Sequence, residues 1–285
     1  MRHPHCLYTI VHVPHERIEP LLLDTFAPIA RDIQHHPDID SLFFVRFSEP
    51  VWQLRFRVLG RPAWIGGPLR ARLTSVLEEL EQSGAIEDHQ FAVYDRELER
   101  YGGEEGMALA ERLFFADSMA ALELCDADRR GSLGRSRREV ALLLTDRMLD
   151  LARFDRRQRI AFYRHGYAWA VDDGHWNDDD RRLLEDRFQK LLPGLDRLFE
   201  SGSDLSGLGS QEAAAIATRF LDRARPILEA VTDGWRAGRI CQELVYLVWS
   251  YAHMFTNRMG IESSGEAILR FFMHRYLEER RHVAA

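Results

Sequence analysis

Leu42-Phe43-Phe44-Val45-Arg46-Phe47 and Trp52-Gln53-Leu54-Arg55-Phe56-Arg57-Val58 are two aromatic and branched runs punctuated by arginine, with Ser48-Glu49-Pro50-Val51 between them. Aromatic and branched residues fit the half-buried surface of a sheet, and the intervening residues are turn material, so the pair reads as a β-hairpin. If the four-residue loop sets Phe47 opposite Trp52, alternation sorts the side chains into two faces. One carries Phe43, Val45, Phe47, Trp52, Leu54 and Phe56, and is wholly apolar. The other carries Leu42, Phe44, Arg46, Gln53, Arg55 and Arg57. A one-residue slip in one strand would interleave the sets and bury guanidinium groups, so the register is expected to be strongly specified. Like charges on neighbouring strand positions repel, and sheet stability gives no reason for three arginines on one face. A planar fork suits a carboxylate, which makes this face a candidate anion site. The alternative is a solvated face whose arginines pair local acids such as Glu49.

Around the hairpin the first hundred residues alternate strand and helix. Leu7 to Val13 reads as a strand, Glu16 to Arg31 as an amphipathic helix kinked or broken at Pro28, and Gln90 to Tyr94 as a further strand. Gly66-Gly67-Pro68 opens a helix over Pro68 to Ser83. Beyond Gly102-Gly103 the periodicity is helical, over 105–124, 135–153, 156–171, 178–191, 210–231, 239–259 and 263–281. Glu200 to Ser210, rich in Ser and Gly, reads as a flexible loop between helices. The expected class is α+β: a mixed strand-helix region over 1–103 bearing the arginine hairpin, then a mostly helical region over 104–285, packed as one compact unit.

Composition supports a globular chain. The 285 residues are 46% hydrophobic, 11% aromatic and 29% charged, which excludes a mainly disordered protein. The net charge of −7 argues against direct nucleic-acid binding through phosphate neutralisation. Of 38 cationic residues only Lys190 is a lysine, so any anion site is built from guanidinium groups. Cys6, Cys125 and Cys241 match no zinc, redox or disulfide spacing, and a reducing cytoplasm is the expected setting. No signal peptide opens the chain, and the apolar run Leu244 to Phe255 falls well short of the roughly 20 residues a membrane span needs.

Three further features bear on chemistry. In Tyr94-Asp95-Arg96-Glu97-Leu98-Glu99-Arg100-Tyr101-Gly102-Gly103, Glu97 and Arg100 are i,i+3 neighbours able to pair, before a glycine pair that lets backbone approach closely. They serve either as ligand contacts or as a surface ion pair capping a loop. Asp117, inside an apolar helical stripe, is expected to be buried and to anchor one of the arginines from behind. The helix 239–259 is expected to align Gln242, Tyr246, Trp249, His253 and Asn257, with His253 either a hydrogen-bonded core residue or a proton carrier. No phosphate-binding glycine loop, nucleophile elbow or zinc motif is found, including among His3, His5, His12, His15, His35 and His36.

Together, Phe43 to Phe47, Trp52 to Arg57, Tyr94 to Gly103, Phe114-Phe115-Ala116-Asp117-Ser118 and His253-Met254-Phe255-Thr256-Asn257-Arg258 resemble the C-terminal elimination domain of class I lantibiotic dehydratases. That domain also occurs alone, as the thiopeptide-type bacteriocin biosynthesis proteins, and the resemblance spans roughly the whole chain. In that family another domain or protein glutamylates Ser or Thr of a ribosomal precursor peptide from glutamyl-tRNA. The elimination domain then expels glutamate to leave dehydroalanine or dehydrobutyrine. The resemblance implies Arg55, Arg57, Glu97, Arg100 and His253 as catalytic residues, and the hairpin face and the His253 stripe add Arg46, Gln53 and Asn257 as candidate substrate contacts. Gln53 departs from the family, where histidine is frequent; glutamine keeps hydrogen bonding but cannot titrate.

The resemblance implies no cofactor and no metal. It implies a stand-alone lyase in antibiotic (lanthipeptide or thiopeptide) maturation, served by a separate glutamyl-tRNA-dependent partner, and it is compatible with a homodimer. The same fold serves thiopeptide pyridine synthases, which carry out a formal [4+2] cycloaddition with leader release. A non-catalytic protein that docks the precursor peptide is the remaining alternative.

Overall fold

The computed structural model describes residues 5–199 and 205–280. The chain begins β1 (Cys6–His12), α1 (His15–Leu21), α2 (Ala27–Ile33), β2 (Ile39–Phe47), β3 (Gln53–Gly60), α3 (Pro62–Trp64), α4 (Arg70–Gln82) and β4 (Asp88–Ala92). The strands form one antiparallel sheet in the order β2-β3-β1-β4, the split βαββαβ arrangement. Helices follow: α5 (Glu104–Arg129), α6 (Arg137–Leu151), α7 (Arg156–Asp172), α8 (Asp178–Phe199), α9 (Gln211–Arg236), α10 (Leu244–Arg258) and α11 (Ser263–Glu279). The class is therefore α+β, a small sheet followed by a helical assembly. Among the described residues no helix is long and apolar enough to cross a membrane.

The predicted helix over 16–31 forms with a π turn at Leu22–Phe26, placing Pro28 in the first turn of α2, where its missing N–H costs nothing. A second π turn, Ile65–Leu69, absorbs Pro68 before α4. Of the predicted flexible loop, residues 200–204 lie outside the described residues; Ser206–Leu208 form a 3-10 turn. The predicted helix over 239–259 starts only at Leu244, so Gln242 is off its stripe and instead donates to the carbonyl of Glu99.

The hairpin forms, but in the slipped register. Phe47 pairs with Gln53, Arg46 with Leu54, Val45 with Arg55, and Phe43 with Arg57, closing a five-residue loop over 48–52. Trp52 leaves the ladder and stacks on His15, with ring centroids 4.1 Å apart. Directly paired residues share a face, so Arg55 and Arg57 lie with Phe43, Val45, Phe47 and Gln53, whereas Arg46 lies with Leu42, Phe44, Leu54, Phe56 and Val58. The expected face of three arginines is thus two arginines, with the third turned to the opposite side. Two contacts support this: Glu19 of α1 meets Arg46 at 3.2 Å on that side, and Phe43 is buried on its own face against Tyr94 and Phe114.

The face of Phe44 and Phe56 packs on the α1–α2 layer, where Phe26 meets Phe56 at 4.9 Å between centroids, and on α4, whose Arg70 lies over Phe91. The opposite face is roofed only in part, by the 93–103 loop, α5 and α10. The site occupies the gap.

Candidate active site

The floor comes from β3. Arg57, opposite Tyr8 in the ladder, runs between rings, its guanidinium carbon 4.1 Å from the Tyr8 centroid, 5.0 Å from Tyr94 and 5.6 Å from Phe43. Such rings hold the group by cation–π attraction while leaving its hydrogen-bond donors unused. Burial pushes the Tyr94 phenol well up, so it stays neutral. The buried Nε of Arg57 has no partner among the described residues. Arg55, 3.4 Å above the Phe47 ring, donates Nε to Gln53 Oε1 at 2.9 Å. The buried Gln53 in turn donates to the carbonyls of Glu49 and Val51, tying the arginine to the hairpin loop. Partial burial lowers Arg55 from its ordinary range; Tyr8 opposes this and the neighbouring charge of Arg57 adds to it. Among the described residues neither Arg55 nor Arg57 stands in a salt bridge.

The 95–103 turn forms the rim. Arg100 donates to Glu97 at 3.1 Å and to Ser250 at 3.4 Å, the expected i,i+3 pair. The turn is fixed by Gly102 at φ +78° and Gly103 at φ +103°. A Cβ on Gly102 would come within 2.9 Å of the Gln242 backbone nitrogen, whose neighbour Cys241 donates to the Gly102 carbonyl. Arg96 faces away and grips Glu111 through two bonds of 2.9 Å, with Glu104 adding a third. It anchors the loop.

The far wall is α10. His253 lies flat on Trp249 (interplanar angle 4°) and its Nδ1 meets Glu266 Oε2 of α11 at 2.7 Å. The other carboxylate oxygen of Glu266 accepts from Arg270 at 2.5 Å. Burial by itself would raise the Glu266 carboxyl, but Arg270 and His253 hold it down to about 2. An ionised partner at Nδ1 fixes the proton there and leaves Nε2 as the ring nitrogen available to a substrate. Sequence reasoning missed Glu266, whose sole signal is that it sits an acid's reach away on the next helix.

Two expected roles are altered. Asp117 is fully buried and does anchor an arginine, but that arginine is Arg258, at 3.0 Å, rather than one from the hairpin or the rim. Burial pushes the Asp117 carboxyl up and the Arg258 guanidinium down, each against the other's attraction. Arg258 also donates to the Phe44 carbonyl. Asn257 is occupied in the same way: its Oδ1 accepts from the Arg46 amide at 3.0 Å and its Nδ2 donates to the Arg46 carbonyl at 2.8 Å. The Arg46 guanidinium itself is held by Glu19 and the carbonyl of Arg258.

A cavity of about 200 Å³ collects these groups: Arg55 and Arg57 below, Glu97 and Arg100 at the rim, His253 opposite, Arg46 and Asn257 at one end. Gln53 stays behind Arg55. Chemically, the arrangement offers guanidinium donors able to hold an anion, with Asp95 and Glu97 also lining the cavity and a carboxylate-backed imidazole in its wall. Among the described residues no cluster suited to a metal ion occurs.

The family described as lantibiotic biosynthesis dehydratase C-term matches residues 7–277. The subtilin biosynthesis protein SpaB of Bacillus subtilis is 37% identical over 76 residues, 27% of this chain and 7% of SpaB. The nisin biosynthesis protein NisB of Lactococcus lactis subsp. lactis is 28% identical over 78 residues, 27% of this chain and 8% of NisB. The matches thus span less than a tenth of those relatives. Among solved structures, the tRNA-dependent lantibiotic dehydratase MibB from Microbispora sp. 107891 superposes with a TM-score of 0.70 at 24% identity, over 97% of this chain and 28% of MibB. The pyridine synthase TbtD from thiomuracin biosynthesis gives 0.70 at 15% identity, over 98% of this chain and 100% of TbtD. TsrL gives 0.68 at 18% identity, over 97% of this chain and 95% of TsrL. At these identities the likeness is one of fold.

Proposed function

The chain belongs to the lantibiotic biosynthesis dehydratase C-terminal family, and from that premise we propose that it is a glutamate-elimination lyase acting on glutamylated Ser and Thr of a precursor peptide. A separate glutamyl-tRNA-dependent enzyme supplies the ester. The observation that carries this reading is the pair Arg55 and Arg57, guanidinium groups that line one cavity and stand in no salt bridge among the described residues, although Asp95 and Glu97 line the same cavity. The two like charges repel each other, and a bound anion relieves that repulsion.

A Ser or Thr glutamyl ester carries a free side-chain carboxylate and a free ammonium. The carboxylate sits on the unused donors of Arg57, assisted by Arg100, and Glu97 meets the ammonium at the rim. Elimination removes the peptide α-proton, forms the Cα–Cβ double bond and breaks the bond from Cβ to the ester oxygen, so that glutamate leaves as its α-carboxylate. His253, backed by Glu266, takes the α-proton on Nε2, and the carboxylate stabilises the charge the ring then carries. Arg55, held in aim by Gln53, lowers the energy of the charge that develops on the enolate oxygen or the departing carboxylate. No step calls for a cofactor.

The test is mass spectrometry of a glutamylated precursor peptide incubated with this protein alone. Loss of whole glutamate units, leaving thiol-reactive dehydroamino acids, is expected. An unchanged glutamylated peptide together with cyclisation and leader release from one already holding two dehydroalanines would mark a pyridine synthase instead. Salt-sensitive binding without turnover of either would mark a docking protein.

A further inference from the structure

The cavity of about 200 Å³ lined by Arg55, Arg57 and Arg100 takes a group of glutamyl size, and the peptide that carries it extends beyond. A second depression of about 290 Å³ adjoins it and shares Arg46, His253 and Asn257 with it. If the α-carbon of the modified residue faces His253, the main chain must leave the first cavity past this shared wall. Resting on the elimination reading above, we propose that the second cavity is the subsite for the peptide residue next to the modified one, and that Trp52 with His15 selects an aromatic or large apolar side chain there.

The walls favour that chemistry. Trp52, set out of the ladder by the five-residue hairpin loop, stacks on His15 with a 24° angle between the rings, and both line the depression. His15 opens α1 and stays 58% exposed, with Glu262 3.8 Å from its Nε2. Arg46 reaches this cavity already neutralised by Glu19, so the depression offers no unpaired guanidinium, in contrast to its neighbour. The hydroxyls of Ser48, Ser263 and Ser264 remain for the peptide main chain. A flat ring platform with hydroxyls beside it recognises an extended peptide with a ring or large aliphatic side chain better than a charged one.

The experiment measures binding with peptides that cannot be eliminated, in which diaminopropionate carries the glutamate through an amide, and phenylalanine or glycine stands before or after it. Fluorescence anisotropy with the wild-type protein is expected to give phenylalanine about a two- to tenfold advantage at one of the two positions. Trp52→Ala removes the advantage, and His15→Ala, at an exposed position where folding is safe, reduces it. Equal affinities at both positions, or a preference that survives both substitutions, overturn the subsite. Elimination from the matching ester peptides is scored separately. A retained preference without elimination overturns the lyase reading and leaves the subsite, and elimination without a preference does the reverse.

Discussion

His253 and Glu266, on consecutive helices, are joined by a 2.7 Å contact from Nδ1 to Oε2, and the second oxygen of that carboxylate is held by Arg270. The carboxylate sets the tautomer and the aim of the ring. Replacing Glu266 by Gln therefore lowers kcat by about 10- to 1,000-fold with little change in KM. Steady-state kinetics of the variant against wild type check this.

The same carboxylate stabilises the fold. Its carboxyl is held at about 2, against an ordinary value of 4.5, mainly because Arg270 and His253 outweigh the cost of burial. A depressed carboxyl adds stability that is fully present above 4.5 and is lost as the pH falls through about 2, here roughly 3 kcal/mol. Urea unfolding at stepped pH is expected to show the advantage of wild type over Glu266→Gln shrinking below pH 4.5. A constant gap would contradict it.

Arg57 presents the opposite trade. Its buried Nε has no hydrogen-bond partner among the described residues. Arg57→Ala is expected to lower kcat/KM on a glutamylated peptide by about 10²- to 10³-fold, as befits a lost charged hydrogen bond to substrate. Arg57→Lys does not restore it, since an ammonium lacks the fork. Melting temperature of Arg57→Ala in the absence of substrate changes little, because losing the buried unpaired donor offsets the lost cation–π contacts with Tyr8, Tyr94 and Phe43. A large drop would make Arg57 a structural residue.

Asp117 and Arg258 form a fully buried ion pair behind the site. Asp117→Leu leaves an uncompensated guanidinium and is expected to cost about 3–5 kcal/mol. The double change Asp117→Leu with Arg258→Met recovers most of that loss. Denaturant titrations of the two single variants and the double variant give the coupling energy directly.

Gly106 in the first turn of α5 lies under the rim loop, and a Cβ there would come within 1.8 Å of the Tyr101 carbonyl oxygen. Gly106→Ala must displace the turn that positions Glu97 and Arg100. The expected result is about 1–3 kcal/mol of destabilisation with a raised KM, read from unfolding and steady-state kinetics on the glutamylated peptide.

Much of the architecture was readable because local patterns govern it. The alternation in 42–47 and 53–58, the proline and glycine punctuation, and the 3.6-residue periodicity after Gly103 led to the right class and nearly every element. The hairpin register was misread because that argument assumes one wet face, whereas Phe43 and Phe44 are both buried, on opposite sides. Arg46 looked like a third member of the anion site since its counter-charge, Glu19, comes from a different element, and nothing in the strand announces it. The partners of His253 and Asp117 were hidden for the same reason. Glu266 stands thirteen residues beyond its histidine and Arg258 far from its aspartate, distances at which no periodicity relates two side chains.

The amide of Asn257 pairs with the backbone of Arg46 through both its donor and its acceptor, as a neighbouring strand would. With Arg258 on the Phe44 carbonyl and Ser118 on the Phe44 amide, it closes the outer margin of β2. A protein that handles unfolded peptides courts a particular hazard, because an open strand margin captures extended chains indiscriminately as an added strand. On β2 that route is blocked by side chains at Phe44 and Arg46.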